Sequence, residues 1–272
     1  MESKILFLDL DGTLLNDAKE LTDGNRAAME GAVARGHRVV IASGRPLKSV
    51  RAQAARFGLD GAGCYAIAYN GAVIYDFAKQ AQIYRKALAP EDLYAVFDEA
   101  RRRGIYIHTY DREDVVIEPR CDPETARRYC ARLQFDFRVI RDIRKELSES
   151  PVKAMSIDFT GQEKTAAFRD WILSEMRGRL DSYFSERYFL EIVPAGVNKG
   201  RGILQLCDIL GIPRENSVAA GDEANDIDML RAAGVGAAMA NAIPEAKAAA
   251  DYVTERDNNH DGVAEIIEKF LA

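Results

Sequence analysis

Ile5-Leu6-Phe7-Leu8 is an unbroken apolar run that stops at Asp9. Arg38-Val39-Val40-Ile41-Ala42 is a second such run, rich in β-branched side chains, and it stops at Ser43-Gly44-Arg45. Ser217-Val218-Ala219-Ala220 is a third, followed by Gly221-Asp222. Short apolar runs without polar alternation suit strands covered on both faces, as in a parallel sheet. Helical stretches are expected between them, at 25–34 and 47–57, then at 203–210 and 227–233 around the third run. A further strand is expected at Tyr65–Ala68, and Asn70-Gly71 opens a hairpin through Val73–Tyr75 and Ile83–Arg85. A strand at Val235–Ala238 and a helix at Val263–Phe270 complete the alternation.

The texture differs between residues 86 and 190. Ala89-Pro90-Glu91 starts a helix with proline in its first turn. Helices are expected at 93–103, 123–133 and 163–177, and strands at 105–110, 115–118, 154–159, 180–184 and 188–193. Several of these strands alternate apolar and polar residues, as a sheet with one wetter face would. The pattern therefore predicts an α/β protein. Residues 1–85 and 191–272 form a Rossmann-like, doubly wound parallel-sheet core, and residues 86–190 form an inserted α+β domain.

Composition narrows the function. At 272 residues and 47% hydrophobic, the chain can bury a sizeable core. A net charge of -6 argues against a nucleic-acid-binding surface. Arg101-Arg102-Arg103 and Arg127-Arg128 are expected on solvated helix faces. No apolar run approaches the ~20 residues of a membrane span. The start MESKILFLDL lacks the basic end and long apolar core of a signal peptide. The expectation is a cytoplasmic protein with neither nucleic-acid nor membrane partners. Cys64, Cys121, Cys130 and Cys207 are scattered and read as reduced thiols. His37, His108 and His260 have no sequence partner for a Ser-His-Asp or Cys-His site. Gly61 to Ala66 matches GxGxxA, but the residues that follow look extended, where a dinucleotide motif must open a helix.

The polar groups at the strand ends carry the candidate chemistry. Asp9 and Asp11 at the tip of a core strand repel each other and resist burial, so a cation should compensate them, most simply a metal ion. In open parallel sheets, ligands bind beyond the carboxyl ends of the strands. There the chain supplies Asp9, Asp11, Ser43, Gly44 and Asp222, with Lys199 at the start of a helix. That set suits a metal ion and a phosphate together.

DLDGTL at Asp9–Leu14, SGR at Ser43–Arg45, NKG at Asn198–Gly200 and GDEANDIDM at Gly221–Met229 resemble the four motifs of the haloacid dehalogenase-like hydrolases, in that family's order. The spacing between the second and third resembles the Cof-type phosphatases, whose cap is inserted there. RYFLEIVPAGVNKG at Arg187–Gly200 is similar to the segment by which that subfamily re-enters its core. The resemblance covers nearly the whole chain. It implies a Mg²⁺-dependent phosphatase acting on a small phosphorylated metabolite such as a sugar phosphate, with specificity set by the cap.

Residue by residue, the resemblance implies that Asp9 is the nucleophile and forms an aspartyl-phosphate, and that Asp11 is the general acid and then the general base. It assigns Mg²⁺ to the Asp9 carboxylate, the Asp11 backbone carbonyl and the Asp222 carboxylate, hard oxygen ligands that favour this ion. Ser43, Lys199 and Asn225, with the backbone N–H groups of Leu10 and Gly44, are expected on the phosphoryl oxygens. Asp226, four residues past Asp222, is expected to support the metal or Lys199, or to cap the helix. Arg45 is expected to pair with a nearby acid. A phosphomutase of the same superfamily would use the same residues. A non-catalytic phospholigand-binding protein is the alternative of a different class, and the intact set Asp9, Asp11, Lys199 and Asp222 speaks against it.

Overall fold

The computed structural model describes residues 3–271 apart from Glu113 and Gln134. The chain forms two compact units, Met1–Arg85 with Asn198–Ala272, and Lys86–Val197. In chain order, the first unit begins with β1 (Ile5–Leu8), β2 (Arg38–Ala42), β3 (Cys64–Ala68), β4 (Val73–Asp76) and β5 (Ala81–Arg85). The second unit holds β6 (Ile107–Asp111), β7 (Asp114–Ile117), β8 (Phe137–Val139), β9 (Ala154–Ile157), β10 (Leu180–Glu186) and β11 (Phe189–Pro194). The first unit resumes with β12 (Ser217–Gly221), β13 (Val235–Ala238) and β14 (Tyr252–Val253).

The three apolar runs become neighbours in the middle of an eight-stranded sheet of order β14-β13-β12-β1-β2-β3-β4-β5. β1 lies parallel to β2 on one side and to β12 on the other. All four β1 side chains are fully buried, which is why the run carries no polar alternation. The chain leaves β1 toward β2 and later returns to β12 on the opposite side. The carboxyl end of β1 is thus a topological switch point, where the connections diverge and leave a crevice. On one face, Phe7, Val40 and Ile67 pack with Ile203 and Leu206 of the helix Lys199–Leu210. Elsewhere, the buried Asn25 of the helix Asp23–Ala34 accepts from the Ala264 N–H at 2.8 Å, tying that helix to the last one, Gly262–Phe270.

The second unit is a six-stranded sheet of order β10-β11-β9-β6-β7-β8, antiparallel except where β8 runs parallel to β7. Ile107, Val116, Ala154, Leu190 and Ile192 present one face of it to Leu93, Val96 and Phe97 of the helix Pro90–Arg103 and to Phe168 and Ile172 of the helix Glu163–Glu175. The opposite face carries buried polar groups. Lys153 lies 2.7 Å from Glu191, and Tyr110 hydrogen-bonds Tyr129 at 2.6 Å.

The α/β core and the inserted α+β domain are as the residue pattern predicts, with two local differences. β11 is an inner strand of the six-stranded sheet, so the second unit extends to Val197, past the expected end at residue 190. As the pattern predicts, β4 and β5 pair as a hairpin that turns between Asp76 and Ala81, and Asn70-Gly71 forms the turn ahead of it, joining β3 to β4 antiparallel. The elements absent from the sequence reading are β8, β14 and the helix Ile143–Glu146, each of two to four residues, too short to show a period.

The second unit has its own core, and Phe168 at its centre is fully buried. Phe168→Ala is expected to destabilise this unit by about 3–5 kcal/mol. Urea unfolding followed by Trp171 fluorescence, which reports on this unit, should show the loss. A midpoint within error of the parent protein would contradict the packing described.

Candidate active site

Each polar group that ends a core strand is placed by that strand's register. Asp9 follows β1, and its N–H continues the ladder to Ala220 O at 3.1 Å. The next turn folds back tightly, with Leu14 N donating to Asp9 O and Leu15 N to Leu10 O. Ser43 follows β2 and bonds Ile67 O through its N–H. Asp222 follows β12. Lys199 is the first residue of its helix, because Asn198 caps it by accepting from the Arg201 N–H at 2.8 Å.

These placements gather buried charge. The Lys199 ammonium donates to Asp9 Oδ1 at 2.5 Å and to Asp226 Oδ1 at 2.7 Å, and its side chain is fully buried. The other Asp226 oxygen accepts the N–H groups of Asp222 and Glu223 at 3.0 and 3.1 Å. Asp226 is therefore spent on Lys199 and on the loop that carries Asp222. Thr13 donates to Asp222 Oδ1 at 2.7 Å. Carboxylate oxygens of Asp9, Asp222 and Asp226 lie within 4.8 Å of one another.

Asp11 sits outside this cluster. Its carboxylate pairs with Arg45 at 2.7 Å and with Lys19 at 2.9 Å and is partly exposed. Arg45 thus has the acidic partner expected of it. Ser43 is buried, and its hydroxyl accepts the Arg45 N–H at 3.2 Å. Leu10 is fully buried between Asp9 and Asp11, and Gly44 follows Ser43. Asn225 lies in the turn between Asp222 and Asp226, but its side chain is exposed and makes no hydrogen bond to the cluster among the described residues. Three neighbours were missed in the sequence. Thr13 holds Asp222, Lys19 holds Asp11, and Asn241 donates to Gly12 O at 2.7 Å. Lys19 and Asn241 carry no local signal, since only the folded chain brings them to the strand ends. Thr13 reads locally as a turn residue, and its partner Asp222 is 209 residues away in sequence.

The electrostatics follow from burial. Burial pushes the Asp9 carboxyl up to about 7; Lys199 opposes this, while Asp226 and Asp222 add to it. Burial also raises Asp222 to about 6, against the Thr13 hydrogen bond. For Lys199, burial works downward, but Asp9 and Asp226 outweigh it and hold the ammonium above the ordinary lysine range. For Asp11, burial works upward, and Arg45 and Lys19 outweigh it, holding the carboxyl below the usual range.

The acidic set fits a small hard cation. Asp9 and Asp222 each have one oxygen engaged, by Lys199 and Thr13 respectively, and no hydrogen bond to the other among the described residues. Gly12 lets the Asp222 carboxylate pack directly against the turn after β1, where a Cβ would collide with it. Two adjacent carboxylates raised toward neutrality with open oxygens are the donor set that a divalent ion with oxygen preference takes.

A sequence model of the haloacid dehalogenase-like hydrolase family matches residues 6–267. "Putative phosphatase YxeH" of Bacillus subtilis (strain 168) is 32% identical over 270 residues, covering 98% of each chain. From the same organism, 5-amino-6-(5-phospho-D-ribitylamino)uracil phosphatase YcsE is 29% identical over 272 residues, covering 100% of this chain and 97% of its own. The crystal structure of a haloacid dehalogenase-like hydrolase from Bacteroides thetaiotaomicron superposes with a TM-score of 0.88 at 32% identity, covering 98% of this chain and 99% of that one. The chain belongs to the haloacid dehalogenase-like hydrolases. It is an enzyme of the phosphoric monoester hydrolase class. No described helix is long and apolar enough to cross a membrane.

The raised Asp9 carboxyl makes metal-free stability depend on pH. In the unfolded chain it titrates near ~3.9. Between that pH and about 7 the folded state keeps a proton that the unfolded state has lost, so Asp9 lowers stability as pH rises through this window. Asp9→Asn is expected to flatten the fall of the urea midpoint between pH 5 and 7 in chelator. Parallel pH curves for the two proteins would show that Asp9 ionises in the fold as it does in solution.

Proposed function

We propose that this phosphatase is Mg²⁺-dependent, acts on a small phosphorylated metabolite such as a sugar phosphate, and works through an aspartyl-phosphate on Asp9. The observation that carries the reading is the buried Lys199–Asp9–Asp222–Asp226 cluster at the switch point of the sheet.

In the first half-reaction an Asp9 oxygen attacks phosphorus, the ester P–O bond breaks, and the leaving oxygen takes a proton from Asp11. In the second, Asp11 takes a proton from a water that attacks phosphorus. The bond to Asp9 breaks, and inorganic phosphate leaves. Lys199 opposes the upward push of burial on Asp9, and its ammonium offsets charge developing on the phosphoryl oxygens. Ser43, the N–H groups of Leu10 and Gly44, and Asn225 would hold those oxygens, with Asn225 turning inward from its exposed position to do so. The Asp9 and Asp222 carboxylates, with the Asp11 carbonyl, would hold Mg²⁺, which supplies charge neutralisation between the acids and the phosphoryl group.

The Asp11 ion pairs constrain the order of events. A carboxylate held by Arg45 and Lys19 is a ready base and a poor acid. To protonate a leaving oxygen in the first step, Asp11 must exchange at least one of these partners for that oxygen. The relatives' names support small phosphorylated substrates. YcsE is named for a phosphorylated ribitylamino-uracil, which is a polyol phosphate.

The test is turnover of a generic aryl phosphate by the parent protein and by Asp9→Asn. Parent activity should vanish in excess chelator and return with Mg²⁺, and the folded Asp9→Asn variant should fall to background. Activity that persists in chelator, or in the variant, would overturn the reading. Measured phosphate release distinguishes hydrolysis from a mutase, which returns the phosphoryl group.

A second outcome concerns specificity. The core groups named above address only the phosphoryl group, common to all monoesters, so discrimination among leaving groups should reside in the unit Lys86–Val197. Exchanging this unit for that of a related phosphatase should change which metabolites are hydrolysed and leave the needs for Mg²⁺ and Asp9 intact. A folded chimera with the original substrate ranking would refute this division.

A further inference from the structure

The segment Tyr69-Asn70-Gly71, directly after β3, is the most strained stretch of the first unit. Three consecutive residues have positive φ, at 51°, 55° and 105°. Asparagine and glycine tolerate this region, but for a bulky residue such as Tyr69 it is an outlier. Such geometry persists only when its surroundings impose it, and it clusters at functional sites.

The surroundings here are the β3–β4 pair that the turn closes, the loop after β2 and the start of the Lys199 helix. Tyr69 N–H donates to Arg45 O at 3.0 Å, and Asn70 N–H donates to Ser43 O at 3.1 Å. The strained turn therefore grips both ends of Ser43-Gly44-Arg45. The buried Asn70 amide lies against Gly44: a Cβ built there would stand 2.8 Å from Asn70 Oδ1 and 3.1 Å from Nδ2. On the far side Gly71 is pressed onto the helix start, since a Cβ there would collide with the carbonyl oxygen of Asn198. One short turn thus touches both the Ser43–Arg45 loop and the residue that caps Lys199.

We propose that Asn70 is a positioning residue for phosphoryl binding. Its amide holds the Ser43–Arg45 loop in register with Lys199, so that the Gly44 N–H, the Ser43 hydroxyl and the Lys199 ammonium converge on one anion. The left-handed backbone is what turns the amide toward Gly44, and Gly71 is what lets the turn sit against Asn198. Asn70 would not touch the reacting atoms; it acts through Gly44 and Ser43. This rests on the proposed phosphoryl-binding role of the Ser43–Arg45 loop, and the experiment separates the two.

Asn70→Gly keeps the positive φ without steric cost and removes the amide. Asn70→Asp keeps the shape and the backbone tolerance, and sets a carboxylate against the loop that must receive an anion. The readouts are kcat and KM for an aryl phosphate, the inhibition constant of inorganic phosphate, and the melting temperature, with Asp9→Asn alongside. Asn70→Gly should stay folded, weaken phosphate inhibition by about tenfold and lower kcat/KM by a similar factor, the scale of one lost positioning contact. Asn70→Asp should weaken phosphate inhibition further. A purely structural role would lower the melting temperature while leaving the kinetic constants of the folded protein unchanged. The proposal falls if either folded variant keeps kcat, KM and phosphate inhibition within about twofold of the parent. Should Asn70→Gly fail to fold, Asn70→Asp decides alone. If Asp9→Asn also retained activity, the functional reading itself would fall, whatever Asn70 does.

Discussion

The structure depends on one buried ammonium. Lys199 lies between Asp9 and Asp226 at 2.5 and 2.7 Å, out of contact with solvent. A buried charge is tolerated only when it is paired and hydrogen-bonded. The rest of the site can be read as the means of meeting that condition. β1 delivers Asp9, the loop after β12 delivers Asp226, and the Asn198 cap fixes the first turn of the Lys199 helix. Asp9 and Asp226 together compensate the ammonium, and losing both would leave it buried and unpaired.

That arrangement also explains why the acids are unequal. Asp226 is saturated by Lys199 and two backbone N–H groups, so it serves the architecture. Asp9 and Asp222 are held on one side only, and burial raises both toward neutrality. An electrostatic deficit remains between them, which a bound divalent ion would fill. Asp11, two residues from Asp9, points toward Arg45 and Lys19 and is held ionised. Asp9 and Asp11 thus shift in opposite directions, because the chain leaves β1 in a tight turn and two residues that would share a strand face enter different surroundings.

The division into two units has a physical logic of the same kind. The first unit spends its interior on a parallel sheet whose strand ends converge. The second builds a separate core around Phe97 and Phe168 and an antiparallel sheet with one polar face. An insertion between β5 and the Lys199 helix leaves the strand-end geometry intact, since both attachment points belong to the first unit's frame.

Much of this was legible in the chain itself. Unbroken apolar runs ending in acids, a hydroxyl or a glycine identify parallel strands and their active ends, because the period of a strand and the cost of burying a carboxylate are local facts. The motifs then point to the family, and β1 and β2 fall on the expected residues. What only the tertiary structure decided is which charge meets which. Nothing near Lys19 in sequence shows that it reaches Asp11. The Asn70-Gly71 pair reads as a hairpin turn and does join β3 to β4, but nothing local shows that the same turn lies against Gly44 and Asn198. The last strand of the second unit lies within one residue of its expected span, but the unit runs on past residue 190 to Val197, because that strand pairs with β9 and β10. Contacts between residues far apart in sequence depend on how strands are ordered in the sheet, and that order is a property of the packed whole.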